Sequence, residues 1–555
     1  MRRLQKFGSI LLVLALCLTM LPVTAGAEEP EAADGWDSRA DTGWYSDNEY
    51  EFTISTAAEL AGLAQLVNGG TDFSDKTITL AADIDLAGRE WTPIGKDSIS
   101  SRFNGTFDGG GHTISGLYIN KDVTSDTGSV YLGLFGYVGE GTVKKLTVTG
   151  SVIGCDNRTG TSDYYAGGIV GACGGDGDIV NCMADVTVTG NSNGTRTVVG
   201  GIVGKNSGEV TGCISKGAVS AKGTGTGNVT ANAGGIAGES SYGSIINCCN
   251  TGSVIGDSCA GGIAGNSSSS EVTNCYNTGE VSGSGTVGGV VGECSFGNIS
   301  NCYNTGSVSG SGIVGGVIGL NDSVLSTSVS NCYYLAGSES EDAGTGAGKT
   351  QAQFASGEVA WLLQDWWDTN APDSEKGQVL GQKIGEDGAP VLSGDRGRRV
   401  YQLIFQAAGT EEIVLYGNSG ALRFPADPTP PAGLAFTGWF SGGTKLTETS
   451  VISADIVATA QFGTIQEPEP EPEPPSGGSS SRPDPEPSEP PVDVSTGTTT
   501  QAGRTPLRPP PAPPPRWRTA RPAPPSPAAW ARRSSSRPRR TTVSPWSSPR
   551  RSPGT

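Results

Sequence analysis

Apolar positions recur at fixed intervals between Ala166 and Tyr334, where one unit is repeated six times. Each unit contains a Gly pair, and the last four pairs are 27 residues apart. Each unit also contains a Cys that follows a β-branched residue by three positions and, in all units but the last, precedes a Val by six. These Cys are Cys182, Cys213, Cys248, Cys275, Cys302 and Cys332. A period of this length with β-branched columns predicts a solenoid of short strands that stack on one another.

The residue before the Cys is Asn in five of the six units. Asn tolerates left-handed backbone, so it predicts a tight corner at this position. A corner explains how apolar residues at odd spacing can all face inward, since side chains in a straight strand alternate. An earlier, degenerate unit fits the same columns, with Val143, Leu146 and Val152 in the β-branched, Cys and Val positions. We therefore expect an all-β fold, a right-handed parallel β-helix over residues 51–345.

Two short helices are predicted to cap this β-helix. Each begins with a capping-box pattern, Thr56 with Glu59 and Thr350 with Gln353. Apolar residues at helical spacing follow each box: Leu60, Leu63, Ala64 and Val67, and then Phe354, Val359, Leu362, Leu363 and Trp366. We expect the first helix to plug the exposed strand edges of the first coil, and the second to plug the last coil within a cap region, 346–398.

The repeats resemble the GLUG motif of bacterial surface proteins, which include adhesins and the stalk regions of immunoglobulin A1 peptidases. The resemblance covers about residues 51–398 with its flanks. Residues 399–463 resemble a Listeria–Bacteroides repeat, through Phe424 to Pro428 and the stretch Phe436 to Phe440. That resemblance implies a small β-grasp-like module of a surface protein, in which Trp439 belongs to the core.

The two ends of the chain differ from the repeats in composition. Residues 1–27 have the basic start, apolar centre and small-residue cleavage site of a secretory signal, and no membrane span is expected in the mature chain. Residues 28–50 are interpreted as a linker, and residues 464–500 as an extended, acidic Pro-rich linker. Residues 501–555 contain twelve Arg and no acidic residue. They are predicted to be a disordered basic tail, and the abrupt change in composition near Thr500 favours a shifted reading frame as its origin.

Charge and candidate chemistry narrow the functional classes. The net charge is −19 despite the basic tail, which argues against nucleic acid as a partner. The single His, His112, lies in a Gly-rich turn, and a zinc-peptidase motif needs two His. Charges within the repeats look scattered, among them Lys205, Glu239 and Glu293. No catalytic, cofactor-binding or metal-binding residue is therefore assigned. The recurring Cys column, with Leu146 as a substitute, predicts buried free thiols.

The favoured function is a secreted or cell-surface binding protein, adhesin-like and without catalysis. Its expected partners are host or matrix glycans or proteins, or a cell-wall polymer. A carbohydrate-active β-helix enzyme and a passive stalk of the cell envelope stay open as alternatives. An acidic cluster on one face of the coils would favour the enzyme. The candidate ligand strip is Tyr276, Tyr303 and Tyr333, which follow the Cys in three coils, because aromatic faces stack on sugars. The competing interpretation is that these rings only pack together.

Overall fold

The computed structural model describes residues 35–123, 128–156, 163–193, 196–224, 229–322, 327–337, 346–373, 376–420 and 422–464. The chain divides into two compact units, Met1–Pro468 and Glu469–Thr555, and the described residues all belong to the first. The predicted signal peptide and basic tail, and all but the first residue of the Pro-rich linker, lie outside the described residues.

Four parallel sheets form the walls of a β-solenoid, as the repeat pattern predicts. Sheet 1 contains ten strands, Glu51–Ile54, Thr77–Leu80, Thr106–Asp108, Thr142–Lys144, Asp178–Val180, Glu209–Thr211, Ser244–Ile246, Glu271–Thr273, Asn298–Ser300 and Ser328–Ser330. Sheet 2 contains seven, Val130–Leu132, Tyr164–Gly167, Thr197–Gly200, Ala231–Gly234, Cys259–Gly261, Thr286–Gly288 and Ile313–Gly315. Sheet 3 contains seven, Phe135–Val138, Val170–Cys173, Val203–Asn206, Ala237–Ser241, Ala264–Ser268, Val291–Ser295 and Ile318–Asn321.

Sheet 4 contains fourteen strands, and several coils contribute two short strands to it. Its strands are Ile84–Asp85, Thr113–Val123, Thr147–Asp156, Met183–Ser192, Ile214–Ser215, Val219–Gly223, Cys249–Asn250, Val254–Gly256, Tyr276–Asn277, Val281–Gly283, Tyr303–Asn304, Val308–Gly310, Tyr333–Leu335 and Ala347–Lys349. The long strand Met183–Ser192 pairs with both short strands of the next coil.

Residues at the same position of the repeat pair with one another in register. In sheet 1, Val143 pairs with Ile179 and Ile179 with Val210, and the column continues to Val329. In sheet 4, the later Val column runs from Val152 to Val308. The predicted columns are thus confirmed, including the degenerate coil.

The predicted corner before the Cys column is also confirmed. All five Asn at this position have left-handed backbone: Asn181, Asn247, Asn274, Asn301 and Asn331, with φ between 52° and 55°. The two coils without Asn use Gly212 and Lys145, with φ of 68° and 53°. Asn side chains also bond from coil to coil, since Nδ2 of Asn301 donates to Oδ1 of Asn274 at 2.6 Å. The corner residue therefore both turns the chain and ties adjacent coils together.

The ten Cys whose side chains are described are all buried and free, as predicted for the column. The sulfurs take part in the coil-to-coil hydrogen bonding. The backbone N–H of Cys248 donates to Sγ of Cys275 at 3.4 Å, and that thiol donates to the Thr273 carbonyl at 3.2 Å. Burial raises the pKa of the Cys275 thiol, which favours its neutral form.

Glycines let the coils turn and stack without steric conflict. A Cβ on Gly234, first of its pair, would lie 1.8 Å from the carbonyl oxygen of Ala237. One on Gly262, second of its pair, would lie 2.2 Å from the carbonyl oxygen of Gly289 in the next coil. Because such distances are too short for any side chain, the Gly pair is a packing requirement of each coil.

A helix at the N-terminal end packs into the solenoid core. Helix α1, Ala57–Asn68, begins with the predicted capping box, in which Thr56 and Glu59 exchange hydrogen bonds. Its Leu60, Leu63 and Val67 side chains are fully buried in the core shared with the first coils. The predicted helix and its apolar face are confirmed.

The second predicted helix is divided into two. Helix α2, Gln351–Ser356, begins with the Thr350–Gln353 capping box, and helix α3, Glu358–Asn370, follows Gly357, whose φ is 92°. Within α3, Trp367 is buried where Trp366 was predicted, because Val359, Leu363 and Trp367 follow one another at intervals of four residues on the same face. A hairpin of Leu380–Gly381 and Val391–Leu392 follows.

A separate five-stranded sheet ends the described chain. Its strands are Val400–Gln406, Ile413–Asn418, Leu434–Ser441, Thr444–Lys445 and Ile456–Thr464. The first and last of these pair in parallel at the centre, with antiparallel neighbours on either side. Trp439 is 4% exposed and its ring lies 5.0 Å from that of Phe405, which confirms its predicted place in the core. Two 3-10 turns, Trp36–Arg39 and Arg396–Arg398, complete the described elements.

Candidate functional site

The predicted Tyr strip forms a continuous column on sheet 4. Tyr276 pairs with Tyr303, and Tyr303 with Tyr333. The rings of Tyr276 and Tyr303 are stacked at 5.1 Å with an interplanar angle of 4°. However, the three residues are only 8%, 0% and 7% exposed. The expectation of an exposed ligand strip at Tyr276, Tyr303 and Tyr333 is therefore corrected.

The strip is buried because the C-terminal helices cover it. Phe354 of α2 and Val359 and Leu363 of α3 form one apolar cluster with the three rings and with Cys249. The Tyr303 hydroxyl donates to the Pro390 carbonyl, and burial raises the pKa of Tyr303. The apolar cluster that includes these helices thus spans four successive coils along one flank, whereas the sequence predicted a plug of the last coil only. Burying apolar helix faces against aromatic rings explains the arrangement.

A second group of side chains lies where sheets 2 and 3 meet on the outside of the coils. We call it the corner cluster, and it consists of Tyr131, Tyr137, Asp163, Tyr165, Arg196, Lys205, Glu239, Cys259 and Glu293. Strand alternation places its members outside the core. In sheet 2, for example, Tyr164 and Ala166 belong to the core and Tyr165 does not. The two sheets approach closely because sheet 3 carries Gly at its corner position: a Cβ on Gly238 would lie 2.6 Å from Val199 N of sheet 2.

The charges that look scattered in the sequence form one column of the corner cluster. Lys205 pairs with Glu239, Glu239 with Asn266, and Asn266 with Glu293. The sequence alone already relates Glu239, Asn266 and Glu293, since each follows a Gly-x-x-Gly element by one residue. Because Asn266 interrupts the two acids, the sequence favours a solvated face, whereas the structure places Glu239 and Glu293 in contact with Arg196 and Cys259.

Every carboxylate of the corner cluster has a close partner. Glu239 pairs with Arg196 and accepts a 2.7 Å hydrogen bond from Ser241. Glu293 accepts a 3.2 Å bond from the Cys259 thiol. The pKa of that thiol is raised by burial and by this neighbouring carboxylate.

Asp163, the third carboxylate, has two partners of its own. It accepts a 2.5 Å bond from the Tyr165 hydroxyl and lies 3.6 Å from Nη1 of Arg196. Burial and Asp163 together raise the pKa of Tyr165. The cluster is therefore a polar network whose carboxylates are held by neighbouring side chains, suited to contacting a ligand by hydrogen bonds and aromatic faces.

Aromatic rings dominate the N-terminal end of the corner cluster. Tyr131 stacks on Tyr165 at 5.2 Å and meets Tyr137 edge-on at 5.4 Å. The Arg102 guanidinium lies 4.4 Å from the centre of the Tyr137 ring and pairs with Asp97 at 2.7 Å. Beside them is an open cavity of about 500 Å³, lined by residues of 95–98 and 128–131. This end of the corner cluster therefore places an open cavity beside several aromatic rings.

Two exposed aromatic residues were also missed from the sequence. Tyr242 and Phe296 are 82% and 60% exposed, and they stand two coils apart at the corner between sheets 3 and 1. The available signal was an aromatic residue before Gly, in SYG and SFG, 54 residues apart, which is twice the repeat period.

The single His and the possibilities of a metal site and a membrane span complete the search for functional residues. His112 lies in the predicted turn, with Nδ1 3.1 Å from Oδ1 of Asp83. Within the described residues, no group of three or more His, Cys, Asp or Glu is arranged to hold a metal ion. No helix in that same part of the chain combines the length and the hydropathy needed to cross a bilayer.

Three similarities to known proteins each cover part of the chain. No protein-family model matches it. A stretch of 119 residues is 36% identical to the "Putative Gly-rich membrane protein" of Evansella cellulosilytica, and 170 residues are 31% identical to "Halomucin" of Haloquadratum walsbyi. These matches cover 21% and 29% of this chain but only 13% and 2% of those proteins. A crystal structure described as a "putative immunoglobulin A1 protease from Bacteroides ovatus" aligns with 20% identity and a TM-score of 0.37, over 63% of this chain and 94% of that one.

Proposed function

We propose that this protein is a secreted or cell-surface binding protein, adhesin-like and without catalytic activity, which uses its β-solenoid as a scaffold for contacts. Its expected ligands are glycans or proteins of a host or matrix, or a cell-wall polymer. The signal-like residues 1–27 support export, and the Pro-rich linker supports display away from an attachment point.

The observation that carries the proposal is the state of the carboxylates in the corner cluster. Glycoside hydrolysis needs one carboxyl group to protonate the leaving group and another to attack or to activate water. Here Glu239 is paired with Arg196, and Glu293 accepts the Cys259 thiol proton in a hydrogen bond. Carboxylates that are already held by neighbouring side chains favour binding over proton transfer.

The resemblances agree with this proposal. The repeats resemble the GLUG motif of bacterial surface proteins, and the module at 399–463 resembles a repeat of the same class of proteins. The name of the Evansella relative places that protein at a membrane. A location in the cell envelope is the corresponding proposal for this chain.

Binding and catalysis can be separated in one experiment. The purified secreted chain is applied to arrays of glycans, matrix proteins and cell-wall polymers, and the same material is assayed for release of reducing sugar and peptide. We expect retention on at least one ligand class without product release. Retention on no class would favour a passive stalk, and product release would contradict the non-catalytic proposal.

A carbohydrate-active enzyme is the second candidate, because Glu239 and Glu293 do lie in one outward column. They are separated by two rungs, roughly 10 Å, with Asn266 between them. If products are released, the double variant Glu239→Gln/Glu293→Gln should abolish release, while Glu271→Gln, an exposed acid of sheet 1, should not.

A further inference from the structure

We propose that Tyr242 and Phe296 form a stacking platform for a neutral, extended polysaccharide on the corner between sheets 3 and 1. The inference rests on the proposed binding function and names its ligand class. The two side chains are 82% and 60% exposed, the most exposed aromatic residues of the described repeats.

The fold does not require aromatic residues at this corner. Ser241, Ser268 and Ser295 pair in register, so the residues that follow them, Tyr242, Ser269 and Phe296, occupy one position in three successive coils. All three have left-handed backbone, with φ of 61°, 51° and 58°. Ser269 therefore shows that a small residue makes the same corner.

The left-handed backbone at this corner makes the presence of aromatic residues harder to explain by the needs of folding. Bulky side chains adopt positive φ rarely, and the other left-handed corners of the repeats use Asn or Gly in most coils. A ring that is exposed gains little from burial, so neither packing nor backbone preference accounts for Tyr242 and Phe296. Strained residues that the fold does not need point to contacts outside the molecule.

The spacing of the two rings fits a polymer. They stand two rungs apart, roughly 10 Å along the coil stack. Each sugar of an extended β-linked glycan advances the chain by about the height of one rung. Alternate sugars of such a chain present the same face, so two of them can stack on Tyr242 and Phe296 while the sugar between passes Ser269.

The surroundings favour a neutral ligand. The three corresponding segments, 239–244, 266–271 and 293–298, contain no Lys or Arg and are rich in Ser. Glu271 and Asn298 are exposed beside the rings, in adjacent strands of sheet 1. Hydroxyl, amide and carboxylate groups can bond sugar hydroxyls, whereas the Glu271 carboxylate disfavours an anionic chain.

The experiment uses the full chain in affinity electrophoresis with hydroxyethyl cellulose, xyloglucan and galactomannan as neutral probes and polygalacturonate as the anionic one. We expect retardation by at least one neutral probe. The double variant Tyr242→Ser/Phe296→Ser should weaken that binding by about tenfold or more, since each ring supplies a stacking contact. Ile255→Ser is the matched control, because Ile255 is a 39% exposed apolar residue of sheet 4.

The outcomes separate this inference from the proposed function. Undiminished binding by the double variant, a preference for polygalacturonate, or no binding to any neutral probe would overturn the platform. Retention on a matrix protein with no effect of the double variant would leave the binding function standing without it. Because Ser already occupies this corner in the middle coil, we expect the variant to fold, and an unchanged far-UV circular dichroism spectrum checks this.

Discussion

Replacing the buried Asn277 with Ala should destabilise the solenoid more than replacing an Asn on its outer surface. Asn277 is fully buried. Its Nδ2 donates to the Gly279 carbonyl and to Oδ1 of Asn304, both at 2.8 Å. Its Oδ1 accepts from the Gly279 N–H at 3.2 Å and from Nδ2 of Asn250 at 2.8 Å. The side chain therefore fastens its own turn and both neighbouring coils.

The size of the effect follows from the groups left without a partner. In the Ala variant, the Gly279 N–H and carbonyl lose Asn277, and one N–H of Asn250 loses its acceptor. Each buried polar group left without a partner costs about 1–3 kcal/mol, so the three groups predict a loss of at least about 3 kcal/mol in the free energy of unfolding. Because solenoid coils depend on their nearest neighbours, the loss should concentrate in the coils of Asn250 and Asn304.

Urea unfolding followed by far-UV circular dichroism measures the loss, and hydrogen exchange with mass spectrometry locates it. Asn266→Ala is the matched control, since Asn266 belongs to the same coil but lies partly exposed on the outer face. Asn266→Ala should change stability by less than about 0.5 kcal/mol. If the two variants differ by less than about 1 kcal/mol, the argument that the buried amide fastens three coils is wrong.

Three further predictions concern other columns. Alkylation of the denatured protein and mass spectrometry should find the repeat thiols free, and a Cys275–Cys302 bridge in most molecules would contradict the column of free thiols. Gly262→Ala should lower the free energy of unfolding by about 1–3 kcal/mol because its Cβ meets the next coil at 2.2 Å, whereas Gly388→Ala, with open space around it, should not. Burial raises the pKa of Tyr333 to about 12, so the stability that its neutral form provides should be complete below about pH 10 and lost as pH rises towards 12. Tyr333→Phe should flatten this alkaline loss in unfolding curves recorded from pH 8 to 12, and an unchanged slope would count against it.

The features that could be predicted from the sequence are those at positions that are equivalent in every coil. A residue at the Cys position faces the same environment in every coil, so its neighbours in register can be found by counting along the chain. This is why Leu146 could be placed in the Cys column, and why Asn before the Cys could be predicted as a left-handed corner. Because the pattern occurs in six copies, it is less ambiguous between helix and strand than a single short apolar run would be.

The features that could not be predicted involve contacts between positions that the repeat does not relate. The apolar face of Phe354, Val359 and Leu363 and the strip of Tyr276, Tyr303 and Tyr333 were both found in the sequence, but nothing in their spacing shows that one covers the other. The corner cluster was missed for the same reason, because Glu239 lies in sheet 3 and Arg196 precedes sheet 2 of another coil. Aromatic character alone therefore does not distinguish a packing strip from a ligand surface in this fold.

The exposed fraction of a column, together with the variation of its residues between coils, does distinguish a packing strip from a ligand surface. Where a column serves the fold, its residues are buried and alike, as in the Asn250, Asn277 and Asn304 ladder. Where a column faces solvent, the fold sets only the backbone, and the side chain is free to vary. The corner of Tyr242, Ser269 and Phe296 varies from a hydroxyl to large rings while its backbone stays the same. Because the packing of one coil on the next does not require aromatic rings at this corner, we infer that the rings serve a contact outside the coils. This corner is therefore the first place to look for a ligand.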